Sequence, residues 1–158
     1  MTSIIESFYK GFQNLDAEQM VACYHEDIVF EDPAFGTLKG NHACNMWRML
    51  CKSQKNKDFK VVFSNITVHE DSGSAHWEAF YTFTKTGRKV HNTVEAQFEF
   101  KDGKIIKHVD RFDLYKWSKQ AFGFKGTVLG KTLFFKNKLR HTTKNLLTKF
   151  EEKQKSSA

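Results

Sequence analysis

The chain has 158 residues, 40% hydrophobic and 27% charged, with a formal net charge of +7. That length suits one domain around one core, and the balance excludes a disordered chain. Phe is the outlier at 16 copies against a single proline, Pro33, which excludes Pro-rich linkers.

Ile4, Ile5, Phe8, Phe12 and Leu15 recur on one helical face and predict a helix over 3–14. Asp16 is placed to cap a second short helix, with Met20, Val21 and Tyr24 inward and His25, Glu26 and Asp27 at its end. Residues 28–32 read as a short strand stopped by Pro33, which lacks a backbone donor. Gly36 and Gly40 mark a loop. Asn41 then caps a third helix over 42–53, burying Ala43, Met46, Trp47, Leu50 and Cys51. Residues 59–69, 74–84, 88–100 and 104–115 alternate as strands do. Asp71-Ser72-Gly73, Thr86-Gly87 and Asp102-Gly103 separate them, and the last pair is a hairpin signal. Helices followed by consecutive strands predict an α+β fold. Gly123, Gly126 and Gly130 break up residues 118–130. Helical spacing returns over 131–150, with Phe135, Leu139, Thr142, Leu146 and Phe150 on one side and lysines on the other. The expected division is a body over 1–123 and a basic amphipathic helical extension over 124–158.

The strand faces carry the candidate chemistry. In 88–100, Val90, Asn92, Val94, Ala96, Phe98 and Phe100 share a face, and Asn92 is its one polar member. In 104–114, Ile106, His108, Asp110, Phe112 and Leu114 share one face; the other carries Lys107, Arg111 and Asp113, whose burial would cost more. His108 and Asp110 are therefore expected inside, roughly 7 Å apart along the strand, with room for a substrate or water between them. An aspartate in an apolar hollow is pushed toward the range useful to a general base, and a histidine beside it can take or orient a proton. Asp110, Asp32 and His108 are the candidate catalytic residues. Asn92, Trp47, Trp77, Tyr24, Tyr81 and Phe112 are the candidate ligand-binding wall. The competing reading is a satisfied polar network in a packed aromatic core, with Asp32 merely holding a turn ahead of Pro33.

The three cysteines, Cys23, Cys44 and Cys51, form no CxxC and suit a reducing compartment. MTSIIESFYKGF has no signal-peptide pattern, and no run of eighteen apolar residues occurs, so a cytoplasmic protein is expected. From Tyr115 onward eleven Lys and Arg face two acids, Glu151 and Glu152. The basicity belongs to the tail, which reads as a helix docked on the body, or as one lying on an anionic membrane. A nucleic-acid partner is not expected, since the body lacks a basic strand face studded with aromatics. No cofactor and no metal are expected: His91 faces away from His108, and their spacing with Asp110 fits no zinc pattern.

The segments FEDPAFGTLKG, MWRML, AHWEAFYTF, TGRKVHN and KDGKIIKHVDRFDLYKWSKQAFG together resemble the SnoaL-like group of nuclear-transport-factor-2-like domains, within the ketosteroid isomerase-like superfamily. The likeness covers roughly residues 3–123. It implies a cone-shaped α+β barrel with a curved antiparallel sheet, a pocket at one end, and commonly a homodimer formed through the sheet. Ketosteroid isomerases place a catalytic aspartate in a Glu-Asp-Pro sequence, a position similar to Asp32. Their two oxyanion donors fall at Phe8 and near Ala96, where none stands, although Tyr9 is adjacent. Cyclases and epoxide hydrolases use a last-strand aspartate, a position similar to Asp110. The arginine–aspartate pair that epoxide hydrolases add is missing from VHNTVEAQF.

Two functions follow. One is an acid–base isomerase, cyclase or hydrolase acting on a small hydrophobic or aromatic molecule. The other is a non-catalytic module that holds an apolar ligand. The fold by itself does not choose between them.

Overall fold

Ser3 and Asp16 start the first two helices, α1 (Ile4–Gln13) and α2 (Ala17–Ala22), by accepting backbone N–H groups of Glu6 and Gln19 on their side chains. The computed structural model describes residues 1–157; Ala158, the last residue of the expected extension, lies outside them. α1 buries Ile5, Phe8, Tyr9 and Phe12, so Tyr9 joins the inward face that the spacing assigns to its neighbours.

Tyr24 does not belong to α2. It opens β1 (Tyr24–Asp32), which is longer than the expected strand. The segment read as a loop contains β2 (Gly36–Lys39), paired antiparallel to β1 with Val29 opposite Lys39. α3 (Asn41–Gln54) buries Ala43, Met46, Trp47 and Cys51 as its spacing requires, while Leu50 is only half-buried. Next come β3 (Lys60–Val68), β4 (Ser72–Phe83), β5 (Arg88–Lys101) and β6 (Lys104–Arg111). Asp102 and Gly103 both take positive φ, 52° and 74°, and join β5 to β6 in a two-residue turn with Lys101 opposite Lys104.

The six strands form one curved, unclosed sheet in the order β2-β1-β6-β5-β4-β3. Every pairing is antiparallel except β1 with β6, which run parallel and set Phe30 beside His108. β5 alternates as expected: Val90, Val94, Ala96 and Phe98 are buried, while His91, Thr93, Glu95, Gln97 and Glu99 are exposed. β6 departs from strict alternation at one place. The register with β5 shifts between Glu99 and Phe100, and the extra residue on β6 turns Ile105 inward in place of Ile106. His108 and Asp110 lie beyond that bulge and stay on the inner face.

The expected strand to 115 stops at Arg111, because Asp113 caps α4 (Leu114–Phe122) by accepting the Lys116 N–H. α5 (Phe124–Leu129) and α6 (Leu133–Ser156) complete the chain. α6 docks on the body: Thr143 Oγ1 donates to Ala34 O at 3.0 Å, and Asn45 Nδ2 donates to Glu151 Oε2 at 2.8 Å. Its contact face runs through Thr143 and buried Leu147, one position on from the expected Thr142 and Leu146; Leu146 is exposed. Among the described residues no helix is long and apolar enough to cross a membrane.

Candidate functional site

The inner face of β6 meets α1, α3 and the start of β1 at His108, which is 0% exposed. Its ring is boxed by Phe98 at 4.4 Å, Phe30 at 5.1 Å, Phe8 at 5.4 Å, and Tyr24 and Trp47 at 6.1 Å between centroids. These rings come from four elements, α1, β1, α3 and β5, so only the folded chain assembles the box.

Within it runs one line of hydrogen bonds. Trp47 Nε1 donates to Tyr24 Oη at 2.8 Å, and Tyr24 Oη meets His108 Nδ1 at 2.8 Å. Indole N–H only donates, so the tyrosine hydrogen is directed at the imidazole. His108 therefore carries its own hydrogen on Nε2, which donates to Asp110 Oδ1 at 2.9 Å. Trp77 Nε1 donates to the same oxygen at 3.3 Å. Asp110 is 3% exposed. The carboxylate is thus fixed by two N–H donors, and the Tyr24 hydroxyl sets the imidazole tautomer that supplies one of them.

The expected gap between His108 and Asp110 is absent. Their side chains touch because the sheet is concave here and i, i+2 side chains on a concave face converge. Nothing fits between them. Trp47, Trp77 and Tyr24, expected as ligand walls, act as partners in this network.

Tyr9, noted from sequence only as the neighbour of the donor position at Phe8, is not among the candidate site residues read there. Its hydroxyl is fully enclosed and has no hydrogen-bond partner among the described residues. Burial, and after it the charge of Asp110, push its phenol well above the ordinary value. An unpaired buried hydroxyl costs about 1–3 kcal/mol, so it marks a point where a polar atom is needed. The available signal was its place one step from Phe8 on the buried side of an amphipathic helix.

Asp32 stands apart from the His108 line. Its Oδ1 accepts the Phe35 N–H at 2.6 Å, holding the β1–β2 turn as the turn reading supposed. Burial raises its pKa to about 7, with the Asp110 charge adding to the rise and Arg140 opposing it. Asn92 and Tyr81 are half-buried on the inner faces of β5 and β4; Tyr81 Oη accepts from Trp117 Nε1 of α4 at 2.8 Å. Phe112 lines an open cleft of about 430 Å³ together with Pro33, Leu114, Gly130, Lys131, Thr132, Leu133 and Lys136. The cleft sits just beyond the ends of β1 and β6, at the start of α6, and neither Asp32 nor Asp110 lines it.

Cys23, Cys44 and Cys51 are buried and free, and burial raises all three thiols. Thiols in that state are poor nucleophiles. His91 faces outward and bonds Glu78 Oε1 at 2.6 Å. No cluster of three metal-ligating side chains occurs among the described residues.

Against known proteins, a family model described as "SnoaL-like domain" matches residues 5–108. An LEH-like epoxide hydrolase from M. tuberculosis superposes with a TM-score of 0.60 at 22% identity, over 79% of this chain and 90% of that one. TerC, co-crystallised with polyporic acid, gives 0.62 at 18% identity over 75% and 95%. A protein of ketosteroid isomerase-like fold from Catenulispora acidiphila, in complex with trimethylamine, gives 0.61 at 11% identity over 75% and 91%. At such identities the likeness is one of fold. No curated protein matches the chain.

Proposed function

Since the chain belongs to the SnoaL-like domain family, we propose that it transforms a small apolar or aromatic molecule by acid–base chemistry, with Asp110 as the base. The observation that carries this reading is the enclosed line Trp47–Tyr24–His108–Asp110–Trp77 with the unpaired Tyr9 hydroxyl in the same interior. In this reading Asp110 takes a proton from a C–H acid or from water and becomes the neutral acid, while His108, its tautomer set by the Tyr24 hydroxyl, orients the carboxylate through Nε2–H. Tyr9 Oη donates to the oxygen on which negative charge develops. Asp32, one residue before the cleft-lining Pro33, is a second acid–base group, suited to proton exchange near neutrality because its pKa is about 7. The ligand enters past Phe112, with Asn92 and Tyr81 on the wall. Its entry requires the buried rings around His108 to move apart.

That the ligand is a small molecule is supported by two of the solved neighbours, which were crystallised with polyporic acid and with trimethylamine. A homodimer through the outer face of the sheet belongs to the same proposal. That face carries His76, Glu78, His91 and Glu95, linked by contacts of 2.5–3.1 Å, and its size in solution tests it.

The closeness of packing around His108 favours one rival reading, a module that holds its ligand in the cleft without turnover. Native mass spectrometry of the purified protein identifies a co-purified molecule and separates the two. Acid–base catalysis predicts conversion of that molecule, lowered about 10²-fold or more in Asp110→Asn. Retention without product, or conversion unchanged in both Asp110→Asn and Asp32→Asn, overturns the mechanism.

A further inference from the structure

α5 is packed inside out. A soluble helix ordinarily buries its large apolar side chains and leaves its small ones at the edge. Here the buried positions are Gly126 and, at the helix end, Gly130. Both lie so close to Ser118 of α4 that a Cβ at either would overlap it. The side chains pushed outward are Phe124, Val128 and Leu129, followed by Leu133 and Phe134 on the first turn of α6. Phe124 is 82% exposed, Leu133 70% and Phe134 69%. Among the described residues, five of the eight large apolar side chains left exposed fall in residues 124–134. Isolated exposed apolar residues need no explanation, but a contiguous group does.

The charge around this group has one sign. Lys125, Lys131, Lys136 and Lys138 are exposed beside it, and the sequence holds no acid between Asp113 and Glu151. We infer that residues 124–138 dock the protein on an anionic lipid surface, with the five apolar side chains in the headgroup–acyl boundary and the lysines at the phosphates. Apolar insertion together with basic flanks is the combination by which interfacial segments hold to anionic membranes. A second copy of the chain is a poor occupant, because it brings the same lysines face to face with these. Spanning is not involved, since no described helix is apolar enough to cross. Lys131 and Leu133 also line the cleft at Phe112. The docked orientation therefore sets the cleft at the lipid boundary, where an apolar molecule dissolved in the bilayer can reach it.

The experiment uses the full chain and vesicles of phosphatidylcholine, with and without phosphatidylglycerol, in a co-sedimentation assay at low salt. The protein is expected to sediment with the anionic vesicles and to stay in solution with the neutral ones. The double variant Phe124→Ser, Phe134→Ser is expected to lower the bound fraction about tenfold while keeping its melting temperature, since both rings are exposed. Absence of sedimentation overturns the inference. So does binding that both serines leave intact and salt alone removes, which assigns the effect to the lysines. A drop in oligomeric size in the same variant also overturns it, because a second copy then covers the face. None of these outcomes depends on Asp110, so the inference and the proposed chemistry fail separately.

Discussion

Tyr24 and His108 lie 84 positions apart and meet at 2.8 Å, the hydroxyl of one donating to Nδ1 of the other. The same hydroxyl accepts the indole hydrogen of Trp47 at 2.8 Å. Tyr24→Phe strands both partners in the interior. With about 1–3 kcal/mol for each buried group left unpaired, the variant is expected to lose about 2–4 kcal/mol, read by denaturant unfolding at fixed pH. A loss below about 0.5 kcal/mol would mean that the line of hydrogen bonds contributes nothing to the fold.

Tyr9→Phe gives the opposite result. The hydroxyl it removes has no partner among the described residues, so stability is expected to hold or to rise by about 1 kcal/mol. If that hydroxyl serves a ligand oxygen, affinity or turnover for the identified molecule drops about tenfold or more. Calorimetric titration beside a melting curve reads both. A destabilised Tyr9→Phe would show that the hydroxyl is paired in solution.

Asp32 makes stability depend on pH. Its folded pKa is about 7 against an ordinary value of 3.8. Between about pH 4 and pH 7 the folded protein keeps a proton that the unfolded chain has released, so stability falls as pH rises through that window. The upper bound is about 4 kcal/mol for a shift of this size. Asp32→Asn retains an acceptor for the Phe35 N–H and cannot titrate. It is expected to match the parent near pH 4 and to exceed it above pH 7, as measured by unfolding across a pH series. Parallel profiles for the two proteins would place Asp32 in water.

Gly126→Ala tests the seat of α5. The added methyl overlaps the Ser118 carbonyl oxygen, and backbone cannot yield as a side-chain tip does. α5 is expected to lift from α4, with faster amide exchange and protease cleavage over residues 118–130. The core strands β4 and β5 keep their protection, because the disturbance is local. Unchanged exchange in α5 would show that the contact is loose.

Much of the architecture was legible because it rests on local rules. Alternation put Val94, Ala96 and Phe98 inside β5, and Asp102-Gly103 placed the hairpin, since period-2 burial and a positive-φ turn are written in adjacent residues. The inward side of His108 and Asp110 followed from the cost of burying Lys107 and Arg111 instead. The strand identity of Tyr24 and the existence of β2 were not legible, because both depend on a partner strand: β6 for β1, and β1 for β2. Nor was the bulge that turns Ile105 inward.

By itself the sequence determined the inward face of β5, the inward side of His108 and Asp110, which strands are neighbours in a hairpin, and that the last 44 residues are basic. Only the tertiary structure decided that His108 and Asp110 touch, that Tyr24 and Trp47 complete their line, that Tyr9 is left unpaired, and that α5 turns its large side chains to solvent. The reason is geometric. Periodicity fixes the direction of a side chain from its own backbone, whereas a contact also needs the curvature of the sheet and the position of every element that closes on it.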